Sequence, residues 1–458
     1  MFDKEYLNLT ESYEFDVRVF DEDKVFAGNL KLSPQKCSLR VMGERQPSQN
    51  FSNSKIIKCS KLNLCFSLHE LSLTSMSSQL LQIKYEENIG FFECEFDIGF
   101  ITYNKSSHLF NKKIEGLVID STILKNWIGH TTTQNKILEN IGRKNFGNID
   151  RCEFKTKLNN YGTLGLSYKI TSGYDSFSST KKSHPEFIIL FESPKDIESI
   201  HDEIKKIYNL LVFFIGYDFD INRVKLLPHE SFNIQKVSAY FSWNFPTKLD
   251  YTLFPLGHNL KFDQLELPSL PLISFDKYYN LSEADITLYS RYHGYSRMKS
   301  DEEKSLGFFR LLEKLTYQVS PYVSDESLDK VIKTSKSYLQ KRLQGKPQDI
   351  KAFLKRIPHL NKSKYNTQTC ISKFYDRLPI QLTEIISLKK QDLQEICNLR
   401  NDITHANHFL VTEEKLYKFT LFIKVLLYLA LLEKIGIDIQ IYWRIARRFE
   451  NFYSLQSN

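Results

Sequence analysis

From Tyr13 to Phe20 the chain alternates apolar and polar side chains up to an acidic turn at Asp21-Glu22-Asp23. A period of two is that of a strand with one covered face, and Val25 to Leu32 repeats it directly after the turn. Strand-like runs recur at Leu62–Leu68, Leu80–Tyr85, Phe91–Phe100, Leu164–Ile170 and Glu186–Phe191. That spacing predicts an antiparallel sandwich or a pair of packed sheets. One helix interrupts it, from about Pro194 to Phe214, with Ser193 as its cap and Pro194 at its first position. Four prolines, at 246, 255, 268 and 271, mark the following stretch as loop.

Beyond Ser300 the period changes. Phe308, Leu312, Leu315 and Val319 recur at i, i+4, i+7 and i+11, one face of a helix. Asp325–Leu343 and Gln348–Ile357 read as two shorter helices around Gly345-Lys346-Pro347, and Leu382, Ile385, Ile386, Leu393, Ile396, Leu399 and Ile403 continue the pattern. A last long helix starts at the cap Thr412, with Glu413 and Glu414 in its first turn, and stops at Gly436. Its middle, Val425 to Leu432, is apolar on every face, which predicts burial at a bundle centre or partly in a subunit interface. The fold class is therefore α+β: a β-rich, sandwich-like N-terminal region of residues 1–295, an all-α bundle of 300–445, and a C-terminal tail of 446–458.

Composition narrows the class. At 458 residues with 41% hydrophobic and 25% charged side chains, the chain is a packed globular protein, not a disordered one. The first residues carry acids and no apolar run, and Val425–Leu432 is far short of the roughly 20 residues that span a bilayer. Seven scattered cysteines, an odd number without any Cys-x-x-Cys pair, suggest neither a disulfide framework nor a zinc site and fit a reducing cytoplasm best. The net charge of +8 is unevenly placed. From Asp301 onward there are 26 Lys and Arg against 18 Asp and Glu, whereas the first 300 residues balance at 36 each. A polyanion partner for the helical region is the natural inference.

Within that region, Leu399-Arg400-Asn401-Asp402-Ile403-Thr404-His405 holds the groups needed to cut RNA without a metal. Arginine grips a phosphate through two N–H bonds, and histidine takes or gives a proton near neutral pH. On a helical wheel Ile396, Leu399, Ile403 and Ala406 face the core, while Arg400, Asn401, Thr404 and His405 fall on the flank and opposite side. Asn401 and His405 are i and i+4 and within reach of each other. Arg400 and His405 lie about 140° apart on an ideal helix, so one helix brings them together poorly. Arg444, Arg447 and Arg448, at i, i+3 and i+4, are candidates for RNA phosphates or else part of a solvated tail. His405 and His408 have no carboxylate or Cys partner in view, so no metal and no cofactor is expected.

Arg-Asn-x-x-x-His beside a buried hydrophobic helix resembles the motif of HEPN ribonucleases. The helix Phe308-Phe309-Arg310-Leu311-Leu312-Glu313-Lys314-Leu315 is similar to the first helix of the Apea-like HEPN branch. The front half, with its Gly28-Asn29-Leu30 strand, is similar to the N-terminal domain of the ApeA family of bacterial anti-phage proteins. The resemblance implies a homodimer or higher homo-oligomer in which two motifs meet, with Arg400, Asn401 and His405 catalytic. It implies an RNA substrate, transfer RNA among the candidates, and abortive infection set off by a phage-derived trigger, a protein among the candidates. A non-catalytic RNA-binding or dimerisation module with a ligand-sensing β domain is the competing expectation.

Overall fold

A computed structural model describes residues 6–21, 24–44, 55–81, 89–105, 113–129, 131–140, 150–175, 178–229, 236–245, 252–255, 271–405, 407–408 and 410–457. The chain divides into two compact units, Met1–Leu281 and Ser282–Asn458. That division falls earlier than the 295/300 boundary read from the sequence.

The first unit contains β1 (Tyr13–Asp21), β2 (Lys24–Leu32), β3 (Cys37–Glu44), β4 (Ile57–Lys61), β5 (Leu64–Leu81), β6 (Ile89–Asn104) and β7 (Ile114–Asp120). The short helices α1 (Ile123–Ile128) and α2 (Thr132–Asn140) follow, then β8 (Cys152–Leu158), β9 (Gly162–Asp175) and β10 (Ser178–Lys195). Helix α3 (Ile197–Ile215), β11 (Arg223–Pro228), β12 (Val237–Tyr240) and α4 (Ile273–Tyr279) complete it. All twelve strands join one antiparallel sheet in the order β3-β2-β1-β4-β5-β6-β12-β11-β7-β10-β9-β8. An additional β3–β6 ladder, from Cys37 opposite Ile98 to Glu44 opposite Phe91, closes the first six strands into a barrel. The sandwich-like region is thus a barrel continued by an open sheet.

Strand β6 makes the junction. Its first half pairs with β3, whereas Ile101–Tyr103 pair with β12. The burial follows: Phe92, Cys94, Phe96, Ile98 and Phe100 alternate into the barrel, but Ile101 to Asn104 are buried on both faces. Gly28, opposite Val17 and Val41, is buried where an added Cβ would stand 2.6 Å from the Val19 side chain. Helix α3 starts after the cap position Asp196, not at Ser193, because β10 runs on to Lys195. Pro194 lies in a register shift between Leu190 and Lys195, where no ladder N–H is required of it. Most of the proline-rich stretch, 246–251 and 256–270, lies outside the described residues, as do Tyr85 and the turn residues Glu22 and Asp23.

The second unit is helical: α5 (Glu283–Arg297), α6 (Asp301–Thr316), α7 (Asp325–Arg342), α8 (Pro347–Asn361), α9 (Thr367–Tyr375), α10 (Ile380–Ile385), α11 (Asp392–Thr404), α12 (Glu413–Lys434) and α13 (Tyr442–Ala446). Helix α5 belongs here because the Tyr289 hydroxyl donates to Leu431 O of α12 at 2.9 Å and Leu288, Tyr289 and Tyr292 are buried. Thr412 caps α12 by accepting from Lys415 N–H, and Leu421 to Ile423 and Val425 to Leu432 are all buried within one chain. No subunit interface is needed to cover that helix. Each fully buried Leu or Phe there contributes about 1.5–3 kcal/mol. Two expectations change. Helix α6 ends at Thr316, leaving Val319 exposed. Residues 446–458 are no free tail, since Phe449, Phe452 and Leu455 are buried and Ser387 N–H donates to Leu455 O at 2.7 Å.

Candidate active site

Helix α11 buries Leu393, Ile396 and Leu399 at steps of three, so the next position, Arg400, emerges at the edge of the buried stripe. Its guanidinium lies over the ring of Phe309, 5.6 Å from the centroid. Nη2 donates to Glu313 Oε2 at 3.3 Å, and Nη1 donates to Asn401 Oδ1 at 3.0 Å. The Arg400–Glu313 pair is partly shielded, with 28% and 31% of the two side chains exposed. Thr367 at the start of α9 donates its hydroxyl to the other Glu313 oxygen. A positive group is therefore held in one orientation by an aromatic face, a carboxylate and an amide. Arg400 Nε is buried without a hydrogen-bond partner among the described residues, so the guanidinium keeps donor capacity in reserve.

A pocket of about 220 Å³ opens beside it, lined by Phe309, Asn366, Thr367, Gln368, Gln394, Cys397, Asn398, Arg400 and Asn401. Burial pushes the Cys397 thiol up to about 11, against the pull of Arg400 and with a further push from Glu313. The cysteine is thus a neutral lining group at physiological pH and no nucleophile.

His405 is placed differently. Helix α11 ends at Thr404, and His405 caps it with φ −96° and ψ 7°, its N–H donating to Asn401 O at 3.0 Å. Its side chain is exposed and does not line the Arg400 pocket. The side chain of Asn401 accepts from Arg400, so within one chain it orients the arginine and not the histidine. Thr404 donates to Arg400 O at 2.7 Å and supports the helix end. Asp402 accepts the N–H of Asn407 at 2.9 Å and fastens the turn that follows. Ile403 is half-buried, and Ala406 lies outside the described residues.

The other arginines sit apart from this pocket. Arg444 and Arg447 both lie against Trp443, their Cζ atoms 5.2 and 5.4 Å from its ring centroid. Helix α13 ends at Ala446, so Arg444 and Arg448 do not share a continuous helical face. Among the described residues no group of three or more His, Cys, Asp or Glu side chains is placed to hold a metal.

Sequence reasoning missed Glu313, Phe309 and the α9 start. Glu313 is 87 residues from Arg400, and local periodicity carries no signal for such a pair. The usable signal was weaker: a carboxylate on the flank of α6, one step from the buried Leu312.

Two family models match the chain. One, described as ApeA N-terminal domain 1, covers residues 14–269, from β1 to the segment before α4. The other, Apea-like HEPN, covers residues 306–440, from α6 past the end of α12. No curated protein and no solved structure matches the chain.

Proposed function

Because the chain belongs to the ApeA-like HEPN family, we propose that it is a metal-independent RNA endonuclease of bacterial anti-phage defence, acting by abortive infection. The observation that carries this reading is the oriented Arg400 lining a pocket, with an exposed His405 just past the end of the same helix. In the proposed reaction a His405 imidazole takes the proton of a ribose 2′-OH. The 2′-oxygen attacks phosphorus, the bond to the 5′-oxygen breaks, and the leaving oxygen takes up a proton. Arg400 neutralises the charge growing on the equatorial phosphate oxygens, and Asn401 fixes the arginine. The products are a 2′,3′-cyclic phosphate and a 5′-hydroxyl.

Since His405 stands outside the pocket of its own chain, the reading requires a homodimer in which a second copy brings the two groups together. Transfer RNA is one candidate substrate, the cytoplasm is the proposed compartment, and a phage-derived component is the proposed trigger. The first unit is proposed to sense that trigger and restrain the nuclease. The same displacement of His405 favours the rival reading, a non-catalytic RNA-binding or dimerisation module.

The two separate cleanly. RNA ends sequenced from phage-infected cells should show recurrent cyclic-phosphate ends with the wild-type chain and none with His405→Ala. Phage protection left intact by the Arg400→Ala/His405→Ala double variant would establish the non-catalytic module instead.

A further inference from the structure

Helices α7 and α8 form a hairpin that buries very little. Helix α7 contributes no buried residue, and α8 buries only Ile350, Leu354 and Asn361. The half-buried stripe of α7, Leu328, Ile332, Ser335 and Leu339, is consumed in the contact with α8. Apart from half-buried Ile357 and Pro358, the rest of the two helices is exposed.

What it exposes is positive. Residues 325–364 hold eleven Lys and Arg against four Asp and Glu, a surplus of seven out of +8 for the whole chain. All eleven bases are exposed, and none makes an ion pair among the described residues. Elsewhere in the second unit Lys304, Arg377, Lys390, Arg400, Lys415, Lys418 and Lys434 are each paired with a carboxylate. Three of the four acids, Asp325, Glu326 and Asp329, lie in the first turns of α7, whereas Lys341, Arg342, Lys346 and Lys351, with Asp349 between them, gather at the far end of the hairpin. Two large aromatic residues stand among these bases, Tyr338 at 61% exposure and Phe353 at 50%. The Arg342 guanidinium lies 5.8 Å from the Tyr338 ring centroid.

The root of the hairpin is built firmly and next to the Arg400 pocket. Buried Asn361 accepts from the N–H groups of Tyr322 and Val323, both at 3.1 Å, and donates to Val323 O and Asp325 Oδ1, both at 2.9 Å. Its amide is fully used, which ties the two strands of chain together where the arm begins. On one side the chain enters the arm from α6, which carries Phe309 of the pocket and Glu313, the partner of Arg400. On the other it leaves toward α9, where Asn366 and Thr367 line the same pocket.

We propose that the α7–α8 hairpin is an RNA-gripping arm, which holds the phosphate backbone of the substrate with its lysines and arginines and stacks bases on Tyr338 and Phe353. Charge complementarity selects this occupant: unpaired cations along an extended surface match a polyanion, while two copies of an arm bearing a surplus of seven repel one another. Exposed aromatic rings among the cations match unstacked bases. The inference rests on the nuclease reading and adds where its RNA is held.

The test uses the full chain with His405→Ala, so that bound RNA stays intact, and a labelled 40-nucleotide RNA as probe. Affinity is measured across a salt series for this parent and for Lys341→Gln/Arg342→Gln/Lys346→Gln/Lys351→Gln, four changes at exposed positions. With single-strand contacts each adding about −0.7 to the slope of log K against log salt, the slope should flatten by about 3 and affinity fall about 10- to 100-fold at 0.1 M salt. Tyr338→Ala/Phe353→Ala should weaken binding with the slope unchanged. Equal affinity and slope in parent and quadruple variant overturns the arm, as does a changed oligomeric mass with unchanged RNA affinity. Cleavage by the chain with His405 intact is scored in parallel. RNA bound through the arm but never cut sinks the nuclease reading and keeps the arm, whereas RNA cut equally well by the quadruple variant sinks the arm alone.

Discussion

At the scale of residues, the site is a matter of which group holds which. Arg400 stands out in the sequence because an always-charged side chain beside an apolar stripe, with a polar neighbour and a histidine five residues on, is an economical way to assemble phosphate chemistry. Glu313 was not, since the sequence says nothing of partners brought together by packing of α6 on α11. In the proposed nuclease Glu313 would be a positioning residue, since its carboxylate accepts from the Arg400 guanidinium. Glu313→Ala is therefore expected to lower the rate at saturating RNA by about tenfold, the scale of one charge-assisted hydrogen bond, with KM little changed. Glu313→Gln, which keeps an oxygen for Arg400, should restore most of that rate. An Ala variant cutting at the wild-type rate would show that Phe309 and Asn401 hold the arginine alone.

Among the elements, alternation disclosed β1, β2 and the barrel half of β6 because one of their faces is solvent and the other core. It could not disclose closure. The β3–β6 ladder depends on which edge of a long strand remains open, and period-two patterns are blind to edges. Helix α5 escaped notice because its buried positions are held largely by Tyr289, Tyr292 and His293, not by aliphatic residues. Helix α3 shows a further cost hidden from the sequence. It carries Glu203 inward, where Tyr161 and Lys195 donate to its carboxylate. Burial nevertheless lifts the Glu203 carboxyl from its ordinary 4.5 to about 7, opposed by the positive charge of Lys206. The folded unit thus binds a proton that the unfolded chain releases between about pH 4.5 and 7, and its stability falls as pH rises through that window. Glu203→Gln should remove that loss. Denaturant unfolding is expected to show the variant more stable than wild type by about 1–3 kcal/mol at pH 8, with the gap closing toward pH 5. A gap independent of pH would mean that Glu203 is ionised throughout and stabilised by Lys195.

For the whole molecule, the contrast between a charge-balanced β-rich part and a basic helical part was visible in charge counts alone. The concentration of that charge on one arm was not, because an evenly spaced lysine reads the same on a solvated face and on a binding face. The proposed two-subunit site has its motive in the roughly 140° between Arg400 and His405 on an ideal helix, and the fold adds that His405 does not line the pocket beside Arg400 in its own chain. The central claim is a catalytic site shared by two copies of the chain, and mixing two inactive variants tests it most directly. Arg400→Ala and His405→Ala chains are co-expressed, the mixed dimers are allowed to form, and RNA cleavage is measured against either variant alone. If Arg400 of one subunit works with His405 of the other, each mixed dimer retains one intact pair, and a random mixture should recover up to about a quarter of wild-type activity. A mixture as inactive as its two components, with mixed dimers demonstrably present, would contradict the shared site.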